Sequence, residues 1–383
     1  MPNKSCDVAI IGSGVFGAWT AWHLTQRKLR VLLLDTHGPA HSRASSGGES
    51  RIIRMSYGSD EIYTRWSHNS LTQWKNLFAA TGNNLFQETG VLWLADQDDA
   101  RIRESAAILS RNEIPHETLD PAQLQARYPQ INLENVSRGL LELQSGVLLA
   151  RRAVNAVVDD AVHHGARFQL AHISPPPPSA KLGHLTTSQN QSIFAKQFVF
   201  ACGPWLGKIF PPLLASRIFP TRQEVFFFGT PQGDARFNAP ALPTWLFQED
   251  EVYGMPDIES RGLKLARDVH GEIVDPDTQS RIASQQGADW ARNFLARRFP
   301  ALKDAPIVET RVCQYENTSN GDFLIDRHPD WPNAWLAGGG SGHGFKHGPA
   351  FGEYLAAQIC GEGRPEPRFS LASKATQQHR GVY

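Results

Sequence analysis

Three glycines, in Gly12-Ser13-Gly14-Val15-Phe16-Gly17, stand between a short apolar run over residues 7–11 and a helix-like stretch over residues 18–26. That placement restricts what the chain can fold into. An apolar run bounded at once by glycine reads as a buried parallel strand. Gly12 permits the tight turn that follows, Gly14 lets the backbone approach a pyrophosphate, and Gly17 lets the helix pack close to the strand. The helix start, with Val15 and Phe16, turns N–H donors and a positive dipole end toward phosphates. A second apolar strand, residues 31–34, runs into Asp35, about 20 residues beyond the glycines, where a carboxylate accepts hydrogen bonds from a ribose. The unit predicts a dinucleotide site. Asp35 would repel a 2′-phosphate, which disfavours NADP; this unit alone does not choose between FAD and NAD.

The rest of the 383 residues alternates helix-like and strand-like stretches. Helices are predicted over 61–79, 98–111, 121–127, 151–164, 279–298 and 348–360. Strands are predicted over 90–95, 166–170, 192–201, 217–229, 263–266, 308–315 and 335–337, with a stiff turn at Pro175-Pro176-Pro177-Pro178. This mixture of α/β segments and aromatic, antiparallel-looking segments suggests two domains crossed several times by the chain. Hydrophobic residues make up 41% and charged residues 20%, enough for a substantial core and unlike a disordered chain. Lys plus Arg equals Asp plus Glu, 38 each, so no global charge favours nucleic acid or an anionic membrane. No apolar run reaches the ~18 residues of a membrane span. The four cysteines, Cys6, Cys202, Cys313 and Cys360, form no CxxC pair, which speaks against a zinc site or disulfide scaffold and for a reducing compartment. No signal peptide is visible, and a cytoplasmic location is expected.

From Gly47-Gly48-Glu49-Ser50-Arg51-Ile52-Ile53-Arg54 onward the chain resembles one family. Further matches follow in order: Tyr253-Gly254-Met255-Pro256, Gly262-Leu263-Lys264, Cys313-Gln314-Tyr315 with Phe323-Leu324-Ile325-Asp326-Arg327-His328-Pro329, and Gly340-Ser341-Gly342-His343-Gly344-Phe345-Lys346. The group is that of monomeric sarcosine oxidase and N-methyltryptophan oxidase, D-amino-acid-oxidase-like FAD-dependent amine oxidoreductases, with Amadori-compound oxidases more distant. The resemblance implies a glutathione-reductase-type FAD-binding Rossmann domain (residues 1–85, 147–216 and 319–383) and a mainly antiparallel-sheet substrate domain (86–146 and 217–318).

It also implies roles. Cys313 would carry FAD through a thioether. Lys264 would place a cation over the flavin and assist reduction of O2, which favours an oxidase over a dehydrogenase. Arg51 would stack near the flavin, and Tyr253 would border the pocket. Arg54 and Lys346 would hold a substrate carboxylate, arginine with two parallel hydrogen bonds and lysine as a point charge. Gly342, His343 and Gly344 would bring backbone donors to the flavin's pyrimidine edge, with His343 positional rather than a titrating catalyst. His41, Ser42, Ser46, Ser50, Ala201, Gly203, Trp205, Gly340 and Lys346 complete the expected cofactor contacts; no metal is expected.

Three positions depart from the family pattern. Asp268 and Gly47 stand where sarcosine oxidases carry histidine, and Glu316 where they carry threonine. Two extra carboxylates would either face a substrate bearing positive charge or hydroxyls, or pair with neighbours such as Arg267. The implied activity is oxidation of a small secondary α-amino acid, N-methyl or cyclic. Hydride would leave the α-C–H for flavin N5, the imine would hydrolyse, and O2 would become H2O2. An Amadori-compound oxidase, or an FAD amine dehydrogenase with another acceptor, is the alternative. A monomer is expected.

Overall fold

The computed structural model describes residues 6–96, 100–177 and 181–378. Asp98, at the start of one expected helix, and Pro178 lie outside them.

A six-stranded sheet is built from three separate parts of the chain. Its order is Leu324–His328, Trp331–Gly338, Ala195–Phe200, Cys6–Ile11, Val31–Asp35, Arg167–Leu170. All neighbours run parallel except the first pair. The central strands are apolar throughout because helices cover the sheet: Val8, Ile10, Leu33 and Val199 pack toward Val15–Gln26, Ala150–His163 and Gly348–Ile359, while Ala9, Leu34, Phe198 and Phe200 pack on the other side. Gly352 is where helices Val15–Gln26 and Gly348–Ile359 press closest, since a β-carbon there would lie 2.5 Å from the Trp19 backbone.

An eight-stranded sheet stands beside it, in the order Ile307–Asn317, Phe219–Phe228, Leu263–Arg267, Val252–Met255, Thr244–Phe247, Val91–Ala95, Arg138–Glu142, His116–Leu119. Its pairs are antiparallel except Thr244–Phe247 with Val91–Ala95. One face holds Phe226, Phe228, Trp245, Phe247 and Leu265 against helix Gln285–Arg298. Strand periodicity turns Lys264, Ala266, Cys313 and Tyr315 to the opposite face. A three-stranded sheet, Arg51–Ile53, Gly146–Leu148 and Phe86–Gln87, joins the two bodies.

Two expectations are corrected here. The helix expected from residue 279 begins at Gln285, capped by the Ser284 hydroxyl, which accepts from the Gly287 N–H at 3.0 Å. Residues 279–284 instead reach sideways: Gln279 donates to the Gln314 side chain, and Arg281 to the Pro276 carbonyl. The single strand expected over 192–201 is split into Ser192–Ile193 and Ala195–Phe200, the first pairing away from the main sheet.

Gly17 meets the Gly12 carbonyl so closely that a β-carbon would overlap it. Gly17→Ala is therefore expected to destabilise the protein by at least about 1–3 kcal/mol through overpacking against backbone. Urea denaturation followed by tryptophan fluorescence reads this; an unchanged midpoint would contradict the packing described.

Candidate active site

An elongated cavity of about 490 Å³ runs along the C-terminal ends of the parallel strands to the polar end of Ile307–Asn317. Ligands of open α/β sheets bind at such strand ends. Gly12 turns away from its strand at φ +104°, with no room for a β-carbon beside the Ala201 carbonyl. Helix Val15–Gln26 starts at Gly14, which has no capping side chain, and Val15 N–H is held by Ser46 Oγ at 3.1 Å. Asp35 Oδ2 accepts from Ser13 N–H and Oγ at 2.8 and 2.9 Å, and Oδ1 from His37 and Gly38 N–H. A carboxylate locked by four donors is a fixed acceptor at the cavity's edge.

Of the residues expected at the cofactor, Gly12, Gly14, Val15, Phe16, Asp35, His41, Ser46, Arg51, Ala201, Gly203, Trp205, Cys313, Gly340, Gly342 and Gly344 line this cavity. Gly17, Ser42, Ser50, His343 and Lys346 do not. Gly17 packs beneath the turn, Ser42 is exposed, and Ser50 holds Lys264. The N–H groups of His343 and Gly344 close a turn onto the Gly340 carbonyl at 2.9 and 2.8 Å rather than facing a ligand. The His343 ring is buried among Tyr63, Phe323 and His347, with Nε2 3.0 Å from the Gly321 carbonyl. Burial first, and the Lys346 charge next, hold it well below the usual histidine range. Its ring packs among aromatic neighbours, where burial disfavours the charged form.

At the other end, Arg51 Nη2 lies 3.3 Å from Cys313 Sγ and donates to the Ser45 carbonyl at 2.7 Å. Lys264 is buried (3% exposed) and donates to the Ser50 carbonyl and hydroxyl at 2.9 and 3.2 Å. Desolvation, then repulsion from Arg51, holds its ammonium well below the ordinary lysine range. Negative charge developing nearby would restore its hold on a proton. Tyr253 is pushed up to about 12, first by burial, and Tyr315 is also raised by burial. Gly342 is left-handed at φ +80°, and a β-carbon on it would stand 2.8 Å from the Tyr315 ring. Gly47, where a histidine was the family pattern, has no room for any side chain because the His41 carbonyl faces it.

Arg54 and Lys346 are each 4% exposed. Arg54 donates to the Ser56 carbonyl and lies 4.5 and 4.8 Å from the Tyr57 and Trp93 ring centres. Lys346 Nζ donates to the His343 carbonyl at 3.0 Å and lies 5.3 Å from the Tyr57 ring centre. Burial, then the Arg54 charge, holds Lys346 well below its ordinary value, while Asp268 and Glu142 oppose that fall. The Asp268 charge also contributes to the rise of Tyr253 and Tyr315.

Glu316 does not join them. Strand alternation turns it away from Cys313 and Tyr315, toward Gly203 and Gly338, which corrects its expected place beside a substrate.

Glu142 was not foreseen. Its carboxylate, 1% exposed, accepts from Met55 N–H at 2.6 Å, Ser56 N–H at 3.1 Å, Trp93 Nε1 at 2.8 Å and Ser145 Oγ at 2.5 Å. It thereby fixes the turn that carries Arg54 and the ring beneath it. A single Glu ending a short apolar run carries no sequence signal for this. Tyr315 was legible, lying two residues from Cys313 on one strand face.

The sheet, the glycine turn and the cavity define a dinucleotide-dependent oxidoreductase. Residues 7–358 match the family model described as FAD dependent oxidoreductase, and the chain belongs to that family. Human peroxisomal sarcosine oxidase is 32% identical over 91% of this chain and 90% of its own length. N-methyl-L-tryptophan oxidase of Citrobacter koseri is 29% identical over 95% and 96%. Among solved structures, L-proline dehydrogenase from P. horikoshii superimposes with a TM-score of 0.83 at 20% identity, covering 97% of this chain and 98% of that one. The cavity suits FAD: it is lined by the glycine turn and Asp35 and by Cys313, and Gly12 presents bare backbone where a β-carbon would meet the Ala201 carbonyl.

Glu142→Ala would strand several buried donors. Each unsatisfied group costs about 1–3 kcal/mol, so a loss of about 3 kcal/mol or more is expected. Equilibrium unfolding in urea checks it; a loss under about 1 kcal/mol would mean that water replaces the carboxylate.

Proposed function

We propose that the protein oxidises the CH–NH bond of a small secondary α-amino acid, N-methyl or cyclic, with O2 as the acceptor and H2O2 as a product. The observation that carries this reading is the pair of buried cations, Arg54 and Lys346, each 4% exposed and packed 4.5 and 5.3 Å from the centre of one ring, Tyr57. Two desolvated cations repel each other, and a substrate carboxylate relieves both. Arginine grips the two oxygens and lysine adds a point charge. This leaves the amine and its carbon pointing toward the Cys313 end of the cavity.

FAD, when bound, supplies the two-electron acceptor for the CH–NH bond and the route by which electrons reach O2. Gly12, Gly14, Val15, Phe16, Asp35, Ser46, Arg51, Gly340, Gly342 and Gly344 would hold it, and Cys313 would carry a thioether to it. Arg51 Nη2 lies 3.3 Å from that sulfur. Lys264 offers a proton-seeking amine where negative charge develops as O2 is reduced. Asp268 adds an acceptor for a substrate with a distal cation or hydroxyls. We take residues 1–85, 147–216 and 319–383 as the cofactor domain and the remainder as the substrate domain. We take the protein to be a cytoplasmic monomer; among the described residues, no helix is long and apolar enough to cross a membrane.

A screen of secondary, primary and glycated amino acids with a peroxide readout tests the activity. N-methyl or cyclic substrates should give peroxide. Lys264→Met should lower the rate of oxidation by O2 about 100-fold or more while the amine still bleaches the flavin. Asp268→Asn should re-rank the substrates. Yellow colour should stay with the acid-precipitated protein and leave it in Cys313→Ser. Dye reduction without peroxide would establish a dehydrogenase instead.

The Lys346 shift sets a pH dependence. Its protonated form attracts the carboxylate, so affinity is full below its lowered value and declines as pH rises through it. A bound carboxylate moves that midpoint upward. KM for the amino acid should therefore climb with pH in the native enzyme, and Lys346→Met should start high and stay flat. A native KM independent of pH would remove Lys346 from carboxylate binding.

A further inference from the structure

Among the described residues, Glu316 is the one buried carboxyl lining the cavity wall that the proposed chemistry leaves without a task. It is 6% exposed, and no ion pair with it is found among the described residues. It sits where strands Ala195–Phe200 and Trp331–Gly338 end. Its Oε2 lies 3.9 Å from the β-carbon position of Gly203, and its Oε1 crowds that of Gly338. The N–H groups of Gly339 and Gly340 point to the carboxyl, whereas Oε1 has no hydrogen-bond partner. Burial pushes its ionisation up to about 8, against those two donors.

The surrounding titratable groups do not favour a negative charge. The Cys202 thiol, on the turn beside it, is itself raised by burial and by the charges of Asp35 and Glu316. Lys208, on the neighbouring short helix, is engaged by Asp275 and Asp277 at the protein's edge. Tyr315 on the same strand is raised and neutral. Burial thus favours the protonated carboxyl, whose O–H can donate a hydrogen bond. Glu316 lines the same cavity as the glycine turn and Cys313. The ribityl hydroxyls and phosphates of FAD offer acceptors, not cations. A carboxylate there would repel phosphate; the acid binds it.

We propose that Glu316 is a cofactor-positioning acid that donates a hydrogen bond from its protonated carboxyl to an oxygen of FAD, so that retention of the cofactor weakens as Glu316 ionises. The proposal rests on the FAD reading of the cavity but not on the amine substrate.

The test uses the full chain with Cys313→Ser, which removes any thioether and lets FAD exchange. FAD affinity is measured by quenching of its fluorescence from about pH 6.5 to about pH 9.5. With Glu316 present, Kd should rise toward tenfold per pH unit above about 8, as expected when one proton must be bound. Glu316→Gln keeps a donor and cannot ionise, so its profile should be flat and match the parent at the acid end. Glu316→Thr, smaller and also non-ionising, should be flat as well, which guards against a Gln variant that fails to fold. Glu316→Leu should bind about tenfold more weakly at the acid end, the worth of one hydrogen bond. Parallel pH profiles for the parent and the Gln and Thr variants would overturn the proposal while leaving FAD binding intact. Failure of the parent to bind FAD at any pH would overturn the cofactor reading itself.

Discussion

Buried cations repel one another, and a buried lysine holds its proton less tightly than in water. Lys264, Arg54 and Lys346 are each under 5% exposed, and both lysines hold their protons less tightly than in water. The surrounding protein keeps them in place through backbone carbonyls: Ser50 for Lys264, Ser56 for Arg54 and His343 for Lys346. A carbonyl dipole compensates only part of the lost hydration. The site is therefore poised toward anions before any ligand arrives, and the rest of the molecule has to be rigid enough to hold that strain. Glu142 and the aromatic rings of Tyr57 and Trp93 provide that rigidity around Arg54.

Close backbone approach provides the second requirement, a wall thin enough for a long ligand. Gly12, Gly17, Gly47 and Gly342 each stand where any β-carbon would meet a carbonyl or the Tyr315 ring. Of these, Gly12 and Gly342 line the cavity that contains Asp35 and Cys313, and Gly17 and Gly47 do not. The chain departs from the histidine expected at residue 47 because the His41 carbonyl occupies the space.

The first 35 residues were legible because every local signal there agrees with the tertiary arrangement: strand, glycine turn, helix, strand, acid. The long helices Glu61–Thr81 and Gly348–Ile359 were legible for the same reason. Strands Arg138–Glu142 and Thr244–Phe247 were not, since a run of four or five residues buried by its neighbours has no periodicity of its own. Residues 279–284 looked helical by composition but are recruited by Gln314 and Pro276 from outside the segment. In the site, the cations could be found from their motifs. The fates of Glu316 and Asp268 could not, because which way a carboxylate turns depends on the strand register. His343 sits in a glycine-rich turn that hides its ring among aromatics that come from residues 57, 63 and 323.

The order of strands in the parallel sheet has a bearing on how the protein is made. Trp331–Gly338 lies inside that sheet, between Leu324–His328 and Ala195–Phe200, and its end supplies Gly340 to Gly344. A nascent chain emerging from the ribosome thus carries the glycine turn early but lacks the Gly340 to Phe345 stretch of the cavity wall until translation has passed residue 345. Until then, the edge of Ala195–Phe200 stands unpaired, inviting chaperones or unwanted neighbours.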